Sequence, residues 1–337
     1  MATGGPDRFH IVCTDGDEGD RSRIVPAIRQ RLDDAGITLD WHNGEPKDDA
    51  EWLRRIGDAQ GVLVYWAIPD SVLRAAPRLR VISWVGTGVS TFVNLDLATE
   101  RGIAVCNTPG YGNTAVAEHA VGLMFALARN TVAMHNVVAN SGWPREDVRG
   151  FELAGKTVGI VGLGGIGTRV AQLCSAIGMR VIAWTRNPND ERLRTAGATY
   201  ATLDELATRS DIVSLHLLAT PDTEGIVSPA FLRQMKPTAF LVNTARGELI
   251  DDPALIDALR DGRIAGAALD VFVPEPLPAD HPYRTLPNVI LTPHVGYRTP
   301  EASERTVRIA IENLIDFATG NPRNVVNQVD LRAAGST

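Results

Sequence analysis

The sequence has few cysteines, few aromatic residues and no excess of basic residues. Among its 337 residues, three cysteines lie singly within apolar stretches, which excludes a disulfide framework and the paired spacing of zinc sites. We therefore expect Cys13, Cys106 and Cys174 to be reduced core thiols, and we expect no metal site. A formal net charge of -7 argues against nucleic acid as a partner, because proteins that bind it usually present a basic face. The expected partner is a small molecule.

The sequence also lacks a long hydrophobic run. No uninterrupted apolar stretch is long enough to span a bilayer, and the N-terminal stretch MATGGPDRFH lacks the apolar core of a signal peptide. We therefore expect a cytoplasmic protein that makes no membrane contact. A composition of 44% hydrophobic and 22% charged residues is typical of a globular protein, and a chain of this length predicts two domains.

What the sequence does contain is a regular alternation of short β-rich segments with helical patterns, which is typical of parallel α/β folds. The first series of predicted strands lies at residues 9–14, 61–66, 80–86 and 103–108. The second series lies at residues 156–162, 180–185, 211–218, 239–245, 266–271 and 288–293. About six strands with intervening helices are the content of a doubly wound dinucleotide-binding fold.

Two helical patterns indicate how these series are connected. Residues 113–140 predict one long, mostly apolar helix, and the turn formers before it place a domain boundary near residues 107–112. Residues 299–320 predict a closing helix that ends at Gly320, and we expect it to pack on the first series.

The predicted fold class is therefore α/β, with two Rossmann-like domains separated by a cleft. One is flavodoxin-like and binds the substrate, and we assign it residues 1–107 and 297–337. The other is the dinucleotide-binding domain, to which we assign residues 108–296.

A glycine motif follows the first strand of the second series. Gly162, Gly164 and Gly167 have the G-x-G-x-x-G spacing directly after a strand and at the start of a helix. The first glycine makes the tight turn, the second lets the backbone approach a pyrophosphate, and the third packs the helix on the strand. The helix N-terminus then faces the phosphate charge. The alternative is a glycine-rich turn without a ligand.

The exit of the next strand predicts which cofactor binds. An acidic residue about 20 positions after the glycines would bind the ribose 2′-hydroxyl of NAD, but this sequence has Thr185 and Arg186. A hydroxyl and a guanidinium suit a 2′-phosphate, so we favour NADP over NAD. Alternatively, Arg186 stacks on the adenine, which would suit either cofactor.

Three polar residues follow buried strands of the second series. Arg246 lies in AFLVNTARGELID, Glu275 in LDVFVPEPLP and His294 in VILTPHVG. Because ligands bind at the carboxyl ends of strands in open α/β sheets, these groups predict an active site. The guanidinium would bind a carboxylate, and a histidine oriented by an acid would exchange a proton. The alternatives are a structural ion pair for Arg246 and a strand-end histidine without a catalytic role.

In this order and spacing, GLGGIG, NTARGELID, GAALDVFVPEPLP and ILTPHVG resemble segments of the D-isomer-specific 2-hydroxyacid dehydrogenases. The resemblance covers nearly the whole chain, including residues 85–129. It implies a two-domain subunit with the active site in the interdomain cleft, usually assembled as a homodimer. It also implies reversible hydride transfer between a nicotinamide cofactor and a 2-oxo acid or D-2-hydroxy acid.

The resemblance also implies residue roles. Arg246 matches the substrate-binding arginine, His294 the catalytic histidine and Glu275 the acid that pairs with it. Asp270 matches the residue that contacts the nicotinamide carboxamide. Substrate contacts are also expected at Thr87, Gly88, Trp66 and Tyr297, with Tyr65 and Trp84 as further candidates for the pocket. Further cofactor contacts are expected at Thr114, Gly165, Ile166, His216, Thr244 and Ala245.

Three departures from the family pattern bear on these roles. Gly165 stands where the family commonly has arginine, which costs little because backbone groups bind the phosphates. Thr185 and Arg186 replace the acid that accompanies NAD. The loop after Gly88, VSTFVNLD, is one residue longer than the common form and lacks its Asp-Asn pair, which predicts a reshaped substrate pocket.

Two other functions belong to this fold. Formate-type dehydrogenases pair their histidine with glutamine, whereas this sequence has Glu275. A corepressor-like protein that senses the cofactor and turns over little would keep the same residues. The sequence leaves the identity of the 2-hydroxy acid open, although Arg298, close after His294, would suit a substrate with a second acidic group.

Overall fold

The computed structural model describes residues 8–143 and 149–330. The chain divides into two compact units. The first unit consists of Met1–Gly112 and Thr299–Thr337, and the second of Asn113–Arg298. Both boundaries fall a few residues after those that the sequence led us to expect.

The first unit contains a parallel sheet of five strands in the order β2-β1-β3-β4-β5. This order is that of flavodoxin-like folds, as predicted. The strands are β1 (His10–Gly16), β2 (Thr38–Asn43), β3 (Gly61–Val64), β4 (Val81–Trp84) and β5 (Ala104–Cys106). The helices between them are α1 (Glu18–Ser22), α2 (Pro26–Asp34), α3 (Asp49–Ile56), α4 (Asp70–Ala75) and α5 (Leu95–Glu100).

Strand β2 was not predicted from the sequence. It lies at the edge of the sheet and pairs only with β1, and none of its residues is fully buried. The central strands β3 and β4 are buried at every position, and their sequences are therefore almost entirely apolar. An edge strand such as Thr38–Asn43 is only partly buried and needs no apolar run, so its sequence lacks the hydrophobic pattern that predicts a strand.

The second unit contains a parallel sheet of seven strands in the order β12-β11-β10-β9-β6-β7-β8. Chain order reverses between β6 and β9, which pair with each other, and the crevice outside the carboxyl ends at such a reversal is where α/β sheets bind ligands. The strands are β6 (Thr157–Val161), β7 (Arg180–Trp184), β8 (Thr199–Tyr200), β9 (Ile212–Leu215), β10 (Phe240–Asn243), β11 (Gly266–Leu269) and β12 (Val289–Leu291). The short, exposed β8 was not predicted.

The expectation of one helix over residues 113–140 was wrong. Two helices occupy this stretch, and between them Asn130 has a φ of 50°, a left-handed conformation that ends a helix and that asparagine tolerates. The helices of the second unit are α6 (Asn113–Ala128), α7 (Thr131–Ala139), α8 (Gly165–Ala176), α9 (Asp190–Ala196), α10 (Leu203–Arg209), α11 (Pro229–Gln234) and α12 (Asp252–Arg260).

The closing helix α13 (Pro300–Ala318) lies in the first unit. It begins at Thr299, whose side chain accepts a hydrogen bond from the backbone N–H of Ala302. Its apolar face, which includes Ile311 and Leu314, packs in one core with residues of β1, β3 and β4. The chain therefore leaves the first unit once, builds the second and returns.

No helix in the described ranges is long and apolar enough to cross a membrane. The same residues contain no group of three or more His, Cys, Asp or Glu side chains placed to hold a metal ion. The cysteines Cys13, Cys106 and Cys174 are free and buried, as expected.

Candidate active site

The glycine loop between β6 and α8 has the geometry that a dinucleotide requires. Gly162 has a φ of 103°, and a Cβ there would lie 2.7 Å from the backbone oxygen of His216. A Cβ on Gly167 would overlap the backbone oxygen of Gly162, whereas one on Gly164 would meet no atom within 4 Å. The first and third glycines are thus required by packing, and the second borders open space where a pyrophosphate can approach.

The residues that follow Gly164 open helix α8, of which Gly164 is the N-cap. The free backbone N–H groups of this first turn, which includes Gly165 and Ile166, are suited to an anion. A Cβ on Gly165 would overlap the side-chain amide of Asn113, which precedes Thr114 at the start of α6. An arginine at position 165, common in the family, would therefore require Asn113 to move.

Two residues at neighbouring strand ends add polar groups to this crevice. The Thr244 hydroxyl, after β10, is buried and has no hydrogen-bond partner among the described residues. Such an unpaired group is costly unless a ligand or water completes it. His216, after β9, bonds the Ser214 hydroxyl at 2.9 Å, and burial lowers the pKa of its imidazole to about 3. His216 is therefore neutral near pH 7. Ala245 follows Thr244, and its N–H donates to the Asn243 side chain at 3.0 Å.

Arg186 lies at the exit of β7, next to the glycine loop. Gly162 N–H donates to the backbone oxygen of Trp184 at 2.8 Å, so the two segments run side by side. The Arg186 guanidinium is 3.3 Å from a carboxylate oxygen of Asp222, and both side chains are largely exposed. Thr185 is 7% exposed. The structure thus brings to this strand end an acid that the local sequence does not contain.

Arg246 directly follows the strand end at Asn243, Thr244 and Ala245. Its backbone is held by the Asn243 side chain, which donates to the Arg246 backbone oxygen at 2.8 Å. Its guanidinium is half-buried and donates to the Ala245 backbone oxygen at 2.7 Å. Within residues 8–143 and 149–330 it forms no ion pair, so the structure gives no support to a structural pairing with a local acid.

His294 and Glu275 form the pair that the sequence predicts. His294 Nδ1 lies 2.8 Å from Glu275 Oε2, and each side chain is a little over one-third exposed. The other carboxylate oxygen of Glu275 accepts from the backbone N–H of Phe272 at 2.9 Å. The ring of Tyr297 meets the His294 ring edge-on, with centroids 5.9 Å apart. Since Nδ1 faces Glu275, Nε2 is the nitrogen that can reach a substrate.

Asp270, after β11, is 1% exposed and is bound by groups of its own chain. Its carboxylate accepts from the Thr292 hydroxyl at 2.5 Å and from the N–H groups of Val295 and Gly296 at 3.0 and 2.9 Å. Burial raises the pKa of this carboxyl, but hydrogen bonds from His119, Thr292 and the backbone outweigh it and hold the pKa below its ordinary value. The contact of Asp270 with the carboxamide of the nicotinamide stays a prediction.

His119 was missed as a site residue. It belongs to α6, and its Nε2 lies 3.1 Å from the Thr292 hydroxyl and 3.5 Å from Asp270. The available signal was a histidine interrupting an otherwise apolar helical pattern. That signal does not identify a partner, because Thr292 and Asp270 are far from it in the chain.

The first unit holds the remaining predicted substrate residues. Thr87 and Gly88 follow β4, and the Asn107 side chain donates to the Thr87 backbone oxygen at 2.8 Å. Trp66 follows β3 and is 55% exposed. Trp84 is 7% exposed and stacks on Phe92 in the core, and its place in a substrate pocket stays a prediction.

Comparison with known proteins agrees with this geometry. Residues 121–296 match the family model described as "D-isomer specific 2-hydroxyacid dehydrogenase, NAD binding domain". The chain is 42% identical over 282 residues to the glyoxylate reductase of Aeropyrum pernix, and the alignment covers 81% of this chain and 84% of that protein.

Solved structures extend the similarity to the whole fold. D-lactate dehydrogenase from Lactobacillus jensenii, solved with NAD+, has a TM-score of 0.80 and 29% identity, with 95% of this chain and 99% of that chain covered. An acyclic imino acid reductase solved with NADPH and D-Arg has a TM-score of 0.80 and 29% identity, with 94% and 99% covered. The chain belongs to the D-isomer specific 2-hydroxyacid dehydrogenase family and is a nicotinamide-dependent oxidoreductase of 2-oxo and 2-hydroxy acids.

Proposed function

We propose that the protein reduces a small 2-oxo acid to its D-2-hydroxy acid, with His294 as the proton donor and NADPH as the preferred reductant. The observation that carries this proposal is the His294–Glu275 hydrogen bond of 2.8 Å, together with an Arg246 guanidinium that no acid of the described chain neutralises. Reduction of a carbonyl beside a carboxylate requires a cationic group that binds the carboxylate and an oriented acid that protonates the keto oxygen.

Each residue has a defined role in this mechanism. Arg246 binds the substrate carboxylate and polarises the adjacent keto group. A bound nicotinamide cofactor is the source of the hydride that reduces the carbonyl carbon. Protonated His294 donates from Nε2 to the keto oxygen, and Glu275 stabilises the imidazolium through Nδ1. In the oxidative direction, neutral His294 accepts the hydroxyl proton.

The glycine loop and the unpaired Thr244 hydroxyl fit a dinucleotide. The loop and the α8 N-terminus would hold the pyrophosphate, and Thr185 and Arg186 would hold the 2′-phosphate of NADP. Asp222 reduces the positive potential at Arg186, which favours some use of NAD as well. The roles of Thr114, Ile166, His216 and Ala245 as further cofactor contacts remain part of this proposal.

The substrate belongs to the small 2-oxo acids. The similarity to a glyoxylate reductase makes glyoxylate and its close relatives the first candidates. Thr87, Gly88, Trp66 and Tyr297 are proposed substrate contacts. Arg298 is exposed. If its side chain binds a second acidic group of the substrate, the Arg298→Ala variant should lose the preference for doubly acidic substrates.

Absorbance of the reduced nicotinamide tests this function. Purified protein is incubated with NADPH or NADH and a panel from glyoxylate and hydroxypyruvate to larger and doubly acidic 2-oxo acids. Turnover that is faster with NADPH is expected. Tight cofactor binding with no turnover of any 2-oxo acid would contradict the proposal and favour the corepressor-like alternative.

We also propose that the protein is a homodimer assembled through its second unit. Helix α7, TVAMHNVVA, is largely apolar, yet none of its residues is buried. Val132 and Val138 are 42% and 49% exposed, and Phe125 of α6 is 43% exposed. An exposed apolar face of this kind marks an interaction surface. Light scattering should give a dimer mass, and Val138→Glu should give a monomer.

We infer that the protein works in the cytoplasm. Its three cysteines are all free and none is placed in a disulfide, which suits a reducing compartment. Cell fractionation tests this assignment, and recovery of the protein outside the cytoplasmic fraction would contradict it.

A further inference from the structure

The backbone at His294 has a conformation that its side chain does not favour. Its φ is 53°, in the left-handed region, which is unfavourable for a residue with a Cβ. Such a conformation persists only where surrounding groups hold it. The surrounding groups here belong largely to Asp270.

Asp270 binds the chain on both sides of the His294 side chain. Its backbone oxygen accepts from His294 N–H at 2.8 Å. Its carboxylate accepts from the N–H groups of Val295 and Gly296, the next two residues. The position of the His294 turn therefore depends on the position of one buried carboxylate.

That carboxylate is in turn fixed by an ordered pair of hydrogen bonds. An ionised carboxylate only accepts, so the Thr292 hydroxyl is the donor in the 2.5 Å contact with Asp270. A threonine hydroxyl has a single proton, and Thr292 must therefore accept from His119 Nε2 at 3.1 Å. The hydrogen bonds run from His119 to Thr292 to Asp270, and His119 carries its proton on Nε2.

His119 also packs against the far side of the turn. A Cβ on Gly296 would lie 3.1 Å from Asp270 Oδ2 and 3.2 Å from Cδ2 of the His119 ring, both tighter than ordinary contacts, so glycine leaves room here for the carboxylate and the ring. The ring thus lies beside Gly296 and bonds Thr292, and these two residues lie on either side of His294 in the chain.

We propose that His119 and Thr292 are positioning residues for His294. They hold the Asp270 carboxylate, which fixes the turn at Val295 and Gly296 and so places the imidazole between Glu275 and the substrate. This inference rests on the proposed acid role of His294. Neither His119 nor Thr292 is expected to touch the reacting atoms.

The test compares three threonine variants. Thr292→Val keeps the shape of the side chain but removes the hydroxyl, and it should lower kcat by about ten- to a hundredfold, the scale of a misplacement near 1 Å. Thr292→Ser keeps the hydroxyl and should restore kcat to near the wild-type value. Thr157→Val is the matched control, because this threonine is 7% exposed at the amino end of β6, away from the strand exits.

A double mutant separates positioning from a general structural effect. If Thr292 acts through His294, Thr292→Val should lower kcat little or not at all in a His294→Gln background. An equal loss of kcat in both backgrounds, or a wild-type kcat for Thr292→Val, would overturn the inference.

Amide hydrogen exchange tests the same inference without turnover. Exchange at Val295 and Gly296 should be faster in Thr292→Val and in His119→Leu than in the wild type, and unchanged in Thr157→Val. Unchanged exchange in the first two variants would refute the positioning role. If exchange is faster in these variants but the protein turns over no 2-oxo acid, His119 and Thr292 still hold the turn at His294. That result would refute only the proposed acid role of His294.

Discussion

At the scale of single residues, the site depends on which atoms face each other at the strand exits. Glu275 Oε2 faces His294 Nδ1, so the proton available for chemistry is on Nε2. The same acid is tied to the backbone at Phe272, which limits its rotation. The pair is therefore oriented before any substrate binds, as general acid catalysis requires.

Replacing His294 tests its proposed role as the general acid. A His294→Gln variant should lose about 10²–10⁴-fold in kcat, the contribution typical of a general acid. Steady-state kinetics with the best 2-oxo acid measure the loss. His281→Gln is a matched control, because His281 also pairs with an acid, Asp252, at 3.2 Å. A near-normal kcat for His294→Gln would remove this residue from the mechanism.

We expect the charge at Arg186 to govern the choice between NADPH and NADH. Arg186→Gln should weaken NADPH binding about tenfold or more and leave NADH binding nearly unchanged, since only NADPH has the 2′-phosphate. Asp222→Asn should strengthen NADPH binding by a few-fold, because an exposed ion pair contributes about 0–1 kcal/mol. Fluorescence titration gives both dissociation constants. Equal losses for the two cofactors in Arg186→Gln would indicate adenine stacking instead.

At the scale of elements, one strand, one loop and one helix form the proposed cofactor site. The three glycines of the loop between β6 and α8 have different surroundings, which the sequence motif alone does not show. Gly167 contacts the Gly162 backbone oxygen, and Gly164 borders open space. Packing and ligand binding are therefore separate functions of the same motif.

Alanine substitutions separate these two functions. Gly167→Ala should lower the free energy of unfolding by about 1–3 kcal/mol, because its methyl group overlaps backbone that cannot move freely. Gly164→Ala should keep the wild-type melting temperature but bind cofactor more weakly, since its methyl group occupies the space of the pyrophosphate. Calorimetry and cofactor titration measure the two effects. A destabilised Gly164→Ala that binds cofactor normally would contradict this division.

At the scale of the whole molecule, each unit has its own buried cores, and the first contains a charge that burial disfavours. Asp15 is 3% exposed and accepts from the N–H groups of Tyr65 and Trp66. Burial raises the pKa of its carboxyl to about 6, against 3.8 ordinarily, although the hydrogen bonds act in the opposite direction. The folded chain therefore binds more protons here than the unfolded chain between pH 4 and 6.

This difference makes stability depend on pH. Because the folded state binds the extra proton, Asp15 destabilises the protein above pH 6, and its contribution improves as pH falls. Between pH 7 and 5 the wild type should gain about 1 kcal/mol in the free energy of unfolding relative to Asp15→Asn. Denaturant unfolding of both proteins at several pH values measures this. A constant difference across that range would contradict the prediction.

The sequence alone determined the features that depend on local pattern. Buried strands such as β3, β4 and β6 read as apolar runs, and the glycine loop and the exits at Arg246 and His294 were located by the strands before them. The family followed from the same segments, and comparison confirmed it. Weak local signals failed: the edge strand β2 has no buried residue, and a single asparagine divided a helix that was predicted to be continuous.

Only the tertiary structure decided which distant residues meet. Asp222 reaches Arg186 from another loop, and His119 reaches Thr292 and Asp270 from helix α6. Trp84 is the last residue of one buried strand and Trp66 lies just after another, yet Trp84 packs in the core and Trp66 is exposed. These outcomes depend on strand order, helix packing and the conformation of a left-handed turn, which bring together residues far apart in the chain. A local pattern encodes the period of an element but not its neighbours, and the chemistry of this site depends on those neighbours.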